Sequence, residues 1–110
     1  MNLKVGDIVK HFKGETLVEK NIYEILAINV KYTGDNEIDL SSLVVYKPLF
    51  QSDKYFAREY DDLVSELNDE EKLKYNQDTR IQLLTEEELE LIKTNDFKIK
   101  KEEYIHNTYK

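Results

Sequence analysis

Nine consecutive residues, Ile22-Tyr23-Glu24-Ile25-Leu26-Ala27-Ile28-Asn29-Val30, constrain the fold more than any other part of the chain. β-Branched and aromatic side chains fit a pleated, half-buried surface better than a helix. Ile22, Leu26, Ile28 and Val30 fall on one face with Glu24 among them, and Tyr23, Ile25 and Ala27 fall on the other. A strand apolar on both sides needs cover on both, so this run predicts a strand of a β-rich domain with both faces partly covered.

Its neighbours are marked by turn signals. Gly6-Asp7 leads into a strand at Ile8–Phe12, which Lys13-Gly14-Glu15 ends, and Thr33-Gly34-Asp35-Asn36 reads as a turn. Leu43-Val44-Val45-Tyr46 is a third strand, stopped or confined to an edge by Pro48, which lacks an N–H. Tyr55–Arg58 is a short fourth strand. The period then changes: Tyr60, Leu63, Val64 and Leu67 share one helical face, which predicts about two turns of helix packed on the sheet. Asn68–Gln77 is polar and reads as a loop, and Thr79–Leu84 as a strand.

Thr85 and Glu88 form a capping-box pattern, Glu86–Glu88 sit where a helix dipole favours anions, and Leu89 and Ile92 face inward. Asn95 is the expected stop. Phe97 and Ile99 alternate with lysines, as in a last edge strand, and a short helix or frayed tail is expected beyond Lys101. The expected class is mainly β (α+β). Residues 1–84 would form a small SH3-like barrel with a short helix after the fourth strand, and residues 85–110 a C-terminal helix and tail packed on it.

With 110 residues the chain suits one domain. It has no cysteine, so disulfides and thiolate metal sites are excluded. No stretch approaches the ~20 apolar residues of a spanning helix, and a cytoplasmic location away from membranes is expected. The net charge of −7 argues against direct nucleic-acid binding, which usually needs a basic face. The acids are densest at Glu59, Asp61, Asp62, Glu66, Asp69, Glu70 and Glu71. They read either as a solvated helix face or as a surface for a basic partner.

His11-Phe12-Lys13-Gly14, Tyr23, Val44-Val45-Tyr46 with Leu49-Phe50, and Phe56-Ala57-Arg58 occur in that order. Together they resemble the bacterial domain-of-unknown-function family numbered 1653, over residues 3 to 84. Phe56 stands where members tend to carry Trp, and Glu59 where they tend to carry Pro. The family is uncharacterised, so the resemblance implies no activity. A specialised phage relative would account for the longer segments at 14–23 and 32–42.

One constellation suggests a ligand site. If the strands pair side by side, His11, Lys13, Tyr46 and Arg58 come together. Arg offers a two-pronged contact and Lys a point charge to a phosphate or carboxylate. The plainer alternative pairs Arg58 with Glu24 or Asp7 and leaves His11 a half-buried strand residue donating to a carbonyl. No metal or cofactor is expected: His11 and His106 are far apart, and Asp35–Asp39 lacks most of a calcium loop. Ser41, Ser42, Ser52 and Ser65 lack an elbow motif, so an enzyme ranks lowest. The leading expectation is a non-enzymatic binding module for a small anion or a protein. The alternative is an acidic, phage-type inhibitor of a host nucleic-acid-binding defence enzyme, in which Glu59, Asp61, Asp62, Glu66, Glu70 and Glu71 meet a basic partner. A homodimer through a sheet edge or through residues 97–110 is also open.

Overall fold

The long apolar run is the middle strand of a five-stranded antiparallel sheet in a computed structural model of the chain. Residues 1–34, 42–51 and 53–108 are described. Asp35–Asp39, Ser41, Ser52 and the second half of the turn signal at 33–36 lie outside them. The strands are β1 (Ile8–His11), β2 (Ile22–Val30), β3 (Leu43–Pro48), β4 (Phe56–Glu59) and β5 (Ile81–Leu83), in the order β4-β3-β2-β1-β5. The helices are α1 (Tyr60–Leu63), α2 (Asp69–Tyr75), α3 (Glu86–Ile92) and α4 (Asn95–Thr108).

The α+β class is as expected, but the sheet does not close into a barrel. The edge strands β4 and β5 share no ladder. Among the described residues, the segment after α1 links the two sides by the isolated bridge Glu66↔Thr79. Hydrogen bonds from Leu67 N–H to Asp78 O and from Arg80 N–H to Ser65 O, both 2.9 Å, complete that contact. Edge strands of four and three residues offer too little backbone for a full seam.

Each face of the sheet has its own core. Leu3, Val9, Ile25, Val44, Leu63 and Ile81 are buried on one, with Tyr23, Ile28, Tyr46, Tyr60 and Val64 packed against them. Ile22, Leu84, Ile92 and Phe97 are buried together on the other, where α3 and α4 cover the sheet. Ile28 therefore joins Ile25 rather than Ile22. Register shifts between Ile25 and Ala27 and between Ala27 and Val30 break the alternation, and Asn29 adopts φ 55°. A bulge adds a residue and moves the side chains beyond it to the other face, which strict two-residue counting cannot anticipate.

Three helical expectations need correction. The helix after β4 is one turn, ending at Leu63, because Ser65–Leu67 turn into the bridge with residues 78–80. Asn68–Gln77 is not a loop: Asn68 and Glu71 form a reciprocal capping box that starts α2, and Asn76 closes it in the left-handed conformation. Phe97 and Ile99 lie on α4, not on a strand. Thr94 Oγ1 accepts the Phe97 N–H at 3.2 Å, and the helix places Phe97 in the second core while Ile99 stays exposed. The Thr85–Glu88 capping box forms as expected.

Buried lysines fasten the β1–β2 loop to its surroundings. Lys20 Nζ donates to Phe12 O at 2.7 Å and to Tyr75 O at 3.1 Å, where the negative end of α2 favours a cation. Lys101, only 1% exposed, donates to Val18 O and Lys20 O at 2.7 and 2.6 Å. Gly14 holds the loop's sharp bend at φ 110°, and a Cβ there would sit 2.9 Å from the Glu19 backbone. Burial lowers the Lys101 ammonium from its ordinary value to about 8. Between pH 8 and 10.5 the unfolded chain thus holds a proton that the folded chain has released, so stability should rise with pH over that window. Burial lowers Lys20 as well, so urea titrations across pH 7–10.5 should show this rise in the wild type and a clearly smaller one in Lys101→Met. Parallel curves would refute it.

Candidate functional site

Strand register assembles a cavity at one end of the first core. His11 pairs with Ile81, Val9 with Tyr23, Ile25 with Tyr46, and Tyr46 with Phe56. Alternation then places His11, Tyr23, Tyr46, Phe56, Arg58 and Ile81 on one face, in a row that crosses the sheet. These six, with Leu63 and Arg80, line a cavity of about 220 Å³.

The cavity has an aromatic wall and a cationic one. Tyr23 and Tyr46 meet edge to face at 4.9 Å, and Phe56 lies 5.9 Å from Tyr46 and 6.4 Å from Tyr23. The two contacts of Tyr23, each at 78°, match positive ring edges to negative faces. Phe56 remains 41% exposed at the rim.

Arg58 and Arg80 reach the cavity from opposite edges of the sheet. Arg58 stands beside Val44 on β4, and its Nη1 contacts Asp62 Oδ2 at 2.8 Å, one turn further along the chain. This replaces the expected pairing with Glu24 or Asp7; Asp7 instead accepts the Lys4 N–H. Arg80 is fixed through its backbone. Its N–H donates to Ser65 O, and its carbonyl accepts from Phe12 N–H at 2.9 Å and Gln77 Nε2 at 3.4 Å. Gln77, 3% exposed, also donates to Lys10 O at 3.1 Å, which ties this corner to β1. Among the described residues no carboxylate lies within 4.0 Å of the Arg80 guanidinium.

Burial lowers the His11 imidazole to about 4, and the positive charges of Arg80, Lys13, Arg58 and Lys20 lower it in the same direction. His11 is therefore neutral at pH 7. Its Nδ1 accepts the Lys13 amide N–H at 3.4 Å, leaving Nε2 to carry the hydrogen. The expected donation from His11 to a carbonyl is not the arrangement found.

Of the four residues expected at a site, His11, Tyr46 and Arg58 line the cavity. Lys13 does not; its side chain is exposed, and it acts on His11 through its amide N–H and its charge. Arg80 had no role in the sequence reading, because nothing local announces that β5 pairs with β1 across 70 residues. The acidic residues proposed as a docking face do not act as one group. Asp62 pairs with Arg58, Glu66 with Lys72 at 3.4 Å, and Glu71 closes the α2 capping box. Asp61 and Glu70 are exposed, and Glu59 ends β4.

Neither a cluster of metal-binding side chains nor a helix long and apolar enough to cross a membrane occurs among the described residues. No family model, curated protein or solved structure matches the chain.

Proposed function

We propose that the protein is a small, non-enzymatic binding module that takes an anionic ligand in this cavity. One observation carries the reading: in a chain of net charge −7, two arginines from opposite sheet edges converge on one aromatic-walled cavity. Two guanidinium groups lining one cavity repel each other, and an anion bound between them relieves that repulsion. The scaffold reading is SH3-like: a β-meander in the order β4-β3-β2-β1-β5, with a one-turn helix before the last part of the chain returns to β1.

Thermal unfolding at low ionic strength tests this directly. Phosphate, sulfate, small carboxylates and nucleotides are the panel. Stabilisation by at least one anion is expected, weakened by salt and lost in Arg58→Ala with the fold intact. No stabilisation by any of them would count against the module.

Asp62 competes with the ligand for Arg58. The pair is 37% and 52% exposed, so it contributes little to stability. Asp62→Asn should leave the melting temperature nearly unchanged and tighten anion binding by roughly three- to tenfold, the scale of one lost charge contact. Isothermal titration measures this, and weaker binding in the variant would contradict it.

The acidic-inhibitor reading draws less support. Of its six acids, Asp62, Glu66 and Glu71 are engaged within the chain.

A further inference from the structure

We infer that the cavity's ligand is an aromatic phosphate monoester, its dianionic phosphate held between Arg58 and Arg80 and its flat ring laid against Phe56. This rests on the anion-binding reading above and narrows it to one chemistry.

Charge favours a dianion. Arg58 contacts Asp62 through a single nitrogen, and Arg80 has no carboxylate within 4.0 Å among the described residues. Among the described residues, the charges that shift His11 are positive: Arg80, Lys13, Arg58 and Lys20. A monocarboxylate satisfies the Arg80 fork and leaves Arg58 with only its single-nitrogen contact to the exposed Asp62. A phosphate monoester brings nearly two charges and three acceptor oxygens at neutral pH, enough for both forks and for a neutral His11 N–H.

Size and shape select the rest of the ligand. At about 220 Å³ the cavity lies below the ~300–1,000 Å³ that encloses a whole drug-sized molecule. It holds a phosphate and the near edge of one ring, with the remainder emerging at the rim. The rim residue is Phe56, 41% exposed and 33° from the plane of Tyr46. A ring this exposed can stack on a planar ligand, whereas an aliphatic chain would gain less there.

Titration calorimetry at pH 7.5 and low salt should use phenyl phosphate, benzoate and inorganic phosphate. Phenyl phosphate should bind about tenfold or more tightly than either, since only it supplies both the second charge and the ring. Phe56→Ala should bring phenyl phosphate close to inorganic phosphate without changing the latter. Equal binding of benzoate and phenyl phosphate, or no effect of Phe56→Ala, would overturn the inference and leave the anion-binding module standing. Failure of all three ligands would overturn both. Two further arms identify the source of the ring. Tighter binding of adenosine monophosphate, whose base stands a ribose away from the phosphate, than of phenyl phosphate would overturn the ring-bound phosphate and assign a free nucleotide, and tighter binding of a phosphotyrosyl peptide assigns a protein ligand. Exclusion of both by a cavity that takes phenyl phosphate would contradict the open path beside Phe56 on which the inference depends.

Discussion

Arg80→Ala is expected to weaken phosphate binding by roughly ten- to a hundredfold, the cost of one or two charge-assisted hydrogen bonds at about 1.5–3 kcal/mol. The fold should survive. Arg80 is fixed by its main chain, through Ser65 O, Phe12 N–H and Gln77 Nε2, and none of these bonds involves the guanidinium. No ion pair among the described residues is broken, since none of their carboxylates lies within 4.0 Å of it. Removing one of the four cations around His11 should also make the imidazole easier to protonate. Arg80→Lys should recover part of the affinity, as a point charge replaces a two-pronged contact. Calorimetry on the three proteins, with melting curves as control, decides it. Unchanged affinity in Arg80→Ala would remove the residue from the site.

The second large effect concerns the core beneath the cavity. Ile25 is fully buried in the middle strand, packed with Val9, Val44, Leu63 and Ile81. Ile25→Ala should cost about 2–5 kcal/mol, because neighbours held by strands on both sides cannot collapse into the space. Against a typical total of ~5–15 kcal/mol this is a large share, and in a chain of this size the variant should be partly unfolded near 37 °C. Urea unfolding followed by far-UV circular dichroism gives the number. A loss below ~1 kcal/mol would contradict the central place given to β2.

Legibility in the sequence depends on the range of the interactions involved. The five strands, the Thr85–Glu88 cap and the inward Leu89 and Ile92 depend on local alternation and spacing, and were legible. So was the convergence of His11, Tyr46 and Arg58, which needs only that neighbouring strands pair in order. The capping box at Asn68–Glu71 was also local; the polar composition of 68–77 masked it. Three features were not legible. The bulges that move Ile28 across the sheet depend on register with β3. The placement of Phe97 on a helix depends on the second core, which overrides an alternating pattern with lysines. Arg80 enters the cavity only because β5 returns to β1, a pairing set by the whole chain. The barrel expectation failed at its seam for a related reason: closure depends on the lengths of both edge strands, and these are four and three residues.

The central claim is that an anion binds among His11, Arg58 and Arg80. His11 and His106 are the chain's two histidines, and His106 is exposed on α4, so imidazole NMR offers a reporter with an internal control. Sulfate is a suitable probe because it stays doubly charged across the range. In its absence His11 should stay neutral until the pH nears 4. With saturating sulfate its midpoint should move up toward the ordinary value of 6.5, while the His106 signals change little. An unmoved His11, or equal changes at both histidines, would contradict the account.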